Sequence, residues 1–131
     1  MSPYSRLDDE EAESPPMGEP NAFLEEALFK ARTILLTGGI DFKQAKRVCE
    51  RLLALSSANP KEPILLVISS PGGHVESGDM IHDMIKFVAA PVKVLGTGWV
   101  ASAGALIYSA AKKENRFALK NTRFLLHEPR G

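Results

Sequence analysis

A chain of 131 residues makes one domain at most, and it is long enough to bury a real core. Hydrophobic residues make up 44% and charged ones 24%, while 16 basic residues balance 16 acidic ones, which excludes the electrostatic footprint of a nucleic-acid or anionic-membrane binder. Cys49 is the only cysteine, so an internal disulfide is excluded, and with neither a membrane-length apolar run nor a leader pattern a soluble cytoplasmic protein is expected.

Residues 1–20 hold one Arg against six acids, net −5, together with Pro15, Pro16 and Pro20, and read as a mobile acidic arm. The body, residues 21–131, therefore carries net +5. Asn21 is placed to cap a short helix through Phe23, Leu24, Ala27 and Leu28. From Thr33 the pattern alternates strand and helix. Ile34-Leu35-Leu36 predicts a short buried strand ending at Gly38-Gly39. Asp41 then caps a helix whose apolar stripe is Ala45, Val48, Cys49, Leu52 and Leu53, stopped by Asn59-Pro60. Cys49 on that stripe reads as a small buried hydrophobe rather than a reactive thiol.

Ile64 to Ile68 predicts a second strand, its continuous apolar character implying helices on both faces. Ser70-Pro71-Gly72-Gly73 is a turn, and the helix after it buries Ile81, Met84, Ile85 and Val88 before Pro91. Val92 to Leu95 predicts the third strand, with Gly96 to Gly98 leading into a helix that starts near Ser102 and carries Lys112-Lys113 in its last turn. Phe117 to Leu119, a turn at Lys120-Asn121, and Phe124 to Leu126 complete an α/β pattern with mostly parallel strands.

Chemistry gathers at the strand ends, where α/β folds place their sites. Ser102 stands at a helix start, where unpaired N–H groups and the dipole favour negative charge. His127 stands at the tip of an apolar strand. Serine with histidine is the minimum apparatus for nucleophilic acyl transfer. Gly72-Gly73 lets backbone donors approach a ligand, and the N–H of Ala103 is the second donor toward a developing oxyanion. Each piece alone has a plainer reading: Ser102 as an N-cap, His127 as a structural hydrogen-bonder, Ser70 to Gly73 as a turn. The motif is not the Gly-x-Ser-x-Gly elbow, because Val100 stands two before Ser102. His74, and His82 beside Asp79 and Asp83, show no metal-ligand spacing, so neither a metal nor a cofactor is expected.

From about Ala27 onward these features resemble the proteolytic subunit of the ATP-dependent Clp protease (ClpP). The residues that carry the resemblance are Ile34 to Gly38, Ser70 to Gly73, Ile81 to Phe87, Gly98 to Ala105, Arg116 to Asn121 and Leu126 to Pro129, with 25 residues from Ser102 to His127. The resemblance implies a crotonase-like spiral of ββα units over residues 21–131. It implies a serine endopeptidase in a barrel of two stacked heptameric rings, fed unfolded protein substrates by an AAA+ Clp unfoldase. It makes Ser102 the nucleophile, His127 the general base and then acid, and the N–H groups of Gly73 and Ala103 the oxyanion hole. An unfoldase-docking pocket would include Phe87 with Leu65 and Val67, which stand where many members carry aromatics.

The family's acidic triad member and the long helix that joins its rings both come after the point where this sequence stops, four residues past His127. A C-terminally truncated domain is therefore expected, and loss of an orienting acid costs about four decades in turnover. The arm at residues 1–20 also lacks the usual axial-loop pattern. Two other readings stand beside the protease: a non-catalytic or regulatory subunit of such rings, and an acyl-CoA hydratase or isomerase on the same spiral.

Overall fold

The computed structural model describes residues 21–125; the acidic arm at residues 1–20 and His127 lie outside the described residues. Helix α1 (Ala22–Lys30) starts where Asn21 Oδ1 accepts the N–H groups of Phe23 and Leu24, as its sequence predicts. No residue of α1 is buried, and Phe23 and Leu24 face outward. Its tether to the body is an ion pair from Glu25 to Arg51 on the next helix.

Three strand–helix steps follow: β1 (Thr33–Thr37), α2 (Phe42–Ala58), β2 (Ile64–Ser70), α3 (Val75–Phe87) and β3 (Val92–Ala101). Then come the short α4 (Ala103–Tyr108), a 3-10 turn at Lys113–Asn115, β4 (Arg116–Ala118) and β5 (Arg123–Leu125). All strand pairs are parallel, in the order β1-β2-β3-β4, with β5 pairing the far half of β3. Asp41 caps α2 by accepting the Gln44 N–H at 2.8 Å. Alternate residues of the strands (Ile34, Leu36, Ile64, Leu66, Ile68, Val92 and Val94) meet Val48, Leu52, Leu55, Ile81, Ile85 and Ile107 in one core. Full burial of each such side chain contributes about 1.5–3 kcal/mol.

Three details differ from the sequence expectation. On α2 the buried stripe ends on Leu55 and Ser56, while Leu53 is turned outward. Ser56 is buried because its hydroxyl accepts the Ala90 N–H at 3.0 Å, a bond leucine cannot make. The helix after Ser102 ends at Tyr108, so Lys112 and Lys113 belong to the following turn rather than to its last turn. Arg116 caps it instead, donating to the carbonyls of Ser109 and Ala111. Finally, β2 is covered on one face only. Ile64, Leu66 and Ile68 are buried, whereas Leu65 and Val67 share the opposite, partly open face. The register lines up Leu35, Val67, Leu95 and Phe117 across four strands on that face.

The edge strand β1 is guarded against further pairing. Arg47 donates to Leu35 O and Gln44 Nε2 to Thr37 O at 2.9 Å, so α2 side chains occupy outward carbonyls. Burial lowers the pKa of Arg47, with Arg51 acting in the same direction and Glu25 against.

Arg32, between α1 and β1, has φ +53, a left-handed conformation unusual for a side-chain-bearing residue. Its guanidinium donates to four backbone carbonyls, those of Leu55, Asn59, Glu62 and Pro63, at 2.7–3.1 Å. One side chain thus fastens the end of α2, the loop after it and the entry to β2.

Cys49 is buried at 3% exposure, as its place on the stripe predicts, and burial pushes its thiol up from 9.0 to about 11. The native chain is therefore expected to resist alkylation by iodoacetamide at pH 8 and to react once unfolded. The native state holds the proton where the unfolded chain releases it, so this contribution is complete below pH 9 and is lost as pH rises toward 11. Over that window Cys49→Ala should remove about 2–3 kcal/mol of the alkaline fall in unfolding free energy, read from denaturant melts.

Candidate active site

The glycine- and serine-rich turns converge at the C-terminal ends of β1, β2 and β3. Gly38 N–H donates to Ser69 O, and Ile40 N–H to Gly72 O, both at 2.9 Å. His74 N–H returns to Ile40 O at 2.8 Å. The bonds from Ile40 and His74 bracket Gly73 in a parallel bridge, so the Gly73 N–H faces away from Ile40. Among the described residues it has no acceptor. Gly73 has φ +152, and an added Cβ would collide with Ile40 backbone atoms.

The third strand behaves differently from its expected reading. Instead of stopping at Leu95, β3 runs on to Ala101. Ile68 pairs with Gly96 and Ser70 with Val100, so three residues of β3 oppose one of β2. This bulge, with Gly98 at φ +66, bends the strand and directs its end over the Gly72-Gly73 turn. A Cβ on Gly98 would stand 2.7 Å from Ser69 Oγ.

Ser102 closes β3 and opens α4 with φ 52 and ψ −121. Its hydroxyl makes no capping bond to the helix, so the ordinary reason for a serine at a helix start is not met. Strain of this kind costs on the order of 1–3 kcal/mol and persists where the surroundings over-determine it. Two surroundings do so here. Ser102 N–H donates to Leu125 O at 3.0 Å, and Gly72 packs so closely that a Cβ there would be 2.8 Å from Ser102 Cβ and 3.2 Å from the Ala103 nitrogen. Ala103 N–H, at the first position of α4, has no acceptor among the described residues. Ala103 thus follows Ser102 directly, and Gly73 follows the Gly72 that packs on it.

The histidine expected as base lies outside the described residues, two positions after Leu125. What precedes it is well held. β5 pairs Trp99, Val100 and Ala101 with Arg123, Phe124 and Leu125, so the strand ends alongside Ser102. Tyr108 on α4 packs on Phe124, ring centroids 5.0 Å apart and tilted by 59°. Its hydroxyl donates to Phe117 O at 3.0 Å, and burial raises its pKa against the opposing pull of Arg116. The helix that carries Ser102 and the strand that leads to His127 are thereby locked together.

Other expected residues stand apart. Leu65 and Val67 lie on the open sheet face, while Phe87, 76% exposed, ends α3 in the helix layer on the other side. One chain does not bring the three together. His82 Nδ1 lies 3.0 Å from Asp83 Oδ1, and no group of three metal-ligating side chains occurs among the described residues. No described helix is long and apolar enough to cross a membrane.

Two contributors were not singled out from sequence. Gly104 lets α4 approach β2, since a Cβ there would be 3.3 Å from Ser70 O. The small-residue run from Ala101 to Ala105 was the available signal. Ser70 is fully buried and ties its own turn together, donating to Gly38 O at 2.6 Å and accepting from Gly72 N–H at 3.0 Å. A serine two residues before a glycine in a turn is the signature of such a bond.

A family model described as Clp protease matches residues 18–131. The ATP-dependent Clp protease proteolytic subunit 2 of Gluconobacter oxydans is 54% identical over 98% of this chain and 56% of that protein. Subunit 3 of Rhizobium meliloti is 54% identical over 96% of this chain and 64% of its own length. Among solved structures, ClpP1 from Listeria monocytogenes matches with a TM-score of 0.77 at 55% identity, covering 81% of this chain and 62% of that one. The described α/β architecture is therefore of the ClpP type, and the chain spans 56–64% of the length of these curated relatives.

Proposed function

Because this chain belongs to the Clp protease family, we propose that it acts as the proteolytic subunit of an ATP-dependent Clp protease, a serine endopeptidase. In this reading Ser102 Oγ attacks the carbonyl carbon of a peptide bond while His127 takes its proton. The oxygen becomes an oxyanion between the N–H groups of Gly73 and Ala103, each donor contributing about 3 kcal/mol to the transition state. Collapse breaks the C–N bond, and His127 returns the proton to the leaving amine. Water, activated by the same histidine, then hydrolyses the acyl-enzyme and frees Ser102.

The observation that carries this reading is Ser102 itself: φ 52, hydroxyl unused by the helix, and Gly72 against its Cβ. A plain N-cap serine has no use for that strain, whereas a nucleophile presented on a sharp strand-to-helix turn does.

The substrates in this reading are unfolded proteins delivered by an AAA+ Clp unfoldase into a chamber of heptameric rings. The docking pocket consists of Leu65 and Val67 with Phe87. Their separation on opposite sides of one sheet supports a pocket shared between neighbouring copies, with Phe87 coming from the next subunit. Hydrolysis of a fluorogenic peptide amide by the assembled protein tests the catalytic part. Ser102→Ala should lower turnover by at least about 1,000-fold without changing the assembly's size; turnover retained in that variant removes Ser102 as nucleophile.

A further inference from the structure

We infer that Ser70 is a positioning residue for the oxyanion site, a reading that rests on Ser102 being the nucleophile and Gly73 a donor. Ser70 ends β2 with its side chain fully buried. Its hydroxyl is used at both ends: the proton goes to Gly38 O at 2.6 Å, and the oxygen accepts the Gly72 N–H at 3.0 Å. These two bonds join the turn after β1 to the turn after β2. Among the described residues they are the side-chain members of a ladder whose other bonds are backbone ones: Gly38 to Ser69, Ile40 to Gly72, and His74 to Ile40.

The position of that hydroxyl explains why it matters to chemistry. Gly72 is the residue packed against Ser102, and Gly73 is the next donor along the chain. Glycine at φ +103 and again at φ +152 has many other conformations open to it, so two consecutive glycines do not hold a donor in place by themselves. The Ser70 oxygen fixes the first of the two amide planes, and Ile40 fixes the far side through Gly72 O and His74 N–H. With both fixed, the Gly73 N–H keeps one direction, away from Ile40. A preorganised donor is worth more than one that must be recruited, because no reorganisation is needed when charge develops.

The test is phosphonylation of Ser102 by a fluorophosphonate, with the maximal rate and the concentration for half-maximal rate measured separately. Residue-resolved amide exchange on the same chain is the second measurement. Ser70→Ala should lower the maximal rate by about 10- to 100-fold and leave the half-maximal concentration within about twofold. The Gly72 amide should exchange faster while amides in the middle of α2 and β3 do not. Ser70→Cys restores side-chain volume with a poor acceptor, so it should behave like Ser70→Ala. Recovery in Ser70→Cys, or faster exchange throughout the chain, would assign Ser70 to packing alone and overturn the inference. An unchanged rate in Ser70→Ala overturns it as well while leaving the Ser102 reading intact. Absence of labelling in the unsubstituted chain overturns both together.

Discussion

Gly72→Ala is expected to slow acylation of Ser102 by at least about 100-fold in a chain that still folds. At φ +103 the new methyl group would lie 2.8 Å from Ser102 Cβ, 3.0 Å from Ala101 O and 3.2 Å from the Ala103 nitrogen. None of these is the yielding tip of a long side chain, so either Ser102 or the turn must move. A displacement of about 1 Å at a reacting centre costs on the order of 100-fold, and loss of one oxyanion donor costs 100- to 1,000-fold by itself. The folding cost is of similar size, about 1–3 kcal/mol for the left-handed backbone. Thermal stability should fall, and phosphonylation should be lost in the part of the chain that remains folded. A Gly72→Ala chain that reacts at the unsubstituted rate would mean that the turn does not border the reacting centre.

The largest stability effect is expected at Arg32. Arg32→Ala should lower the unfolding free energy by about 3 kcal/mol, a large share of the 5–15 kcal/mol typical of a domain. Four carbonyls lose a charged donor together: Leu55, Asn59, Glu62 and Pro63. Several are partly exposed, so water recovers part of each bond and the sum falls short of four full ones. Arg32→Lys should recover little, since one ammonium cannot reproduce a fork that reaches three loop carbonyls and the helix end. Arg32→Gly should be more stable than Arg32→Ala by about 1 kcal/mol, because φ +53 strains alanine and not glycine. Urea melts of the three variants check the order. Equal loss in Ala and Gly would show that backbone strain at Arg32 plays no part.

The parts of the fold visible in the sequence are those that local chemistry decides. Asn21 and Asp41 are caps because a short acceptor side chain followed by an apolar stripe has few other uses, and both cap as read. Gly38, Gly72 and Gly73 were legible as turns for the same reason. The misreadings come from partners far along the chain. Gly96 and Gly98 looked like the end of a strand, yet β3 continues because Arg123 to Leu125 arrive to pair with Trp99 to Ala101. In Ile64 to Ile68 the two faces are equally apolar, so alternation in burial leaves no trace in residue type: Ile64, Leu66 and Ile68 join the core, whereas Leu65 and Val67 do not. Ser56, polar and buried, is satisfied on the stripe by a bond to Ala90, 34 residues away.

The site divides in the same way. Ser102 stands out as a serine among small residues at a strand–helix junction; the Gly72-Gly73 turn and the Ala103 N–H are legible as donors from position, and the family resemblance singles out Gly73. That its hydroxyl is not a cap depends on φ and ψ, which no residue type encodes. The Ser70 bond to Gly72 N–H has a local signature, but its bond to Gly38 O is hidden, because a serine before Pro-Gly-Gly reads as turn composition whether or not its hydroxyl reaches a second turn.

Whether Ser102 is an activated nucleophile is decided by the site of fluorophosphonate modification in the folded chain, located by intact mass and peptide mapping. One adduct is expected, on Ser102, absent from Ser102→Ala and from the chain unfolded in urea, with Ser69, Ser70 and Ser109 unmodified. No adduct on the folded chain, or an adduct on another serine, would contradict that role.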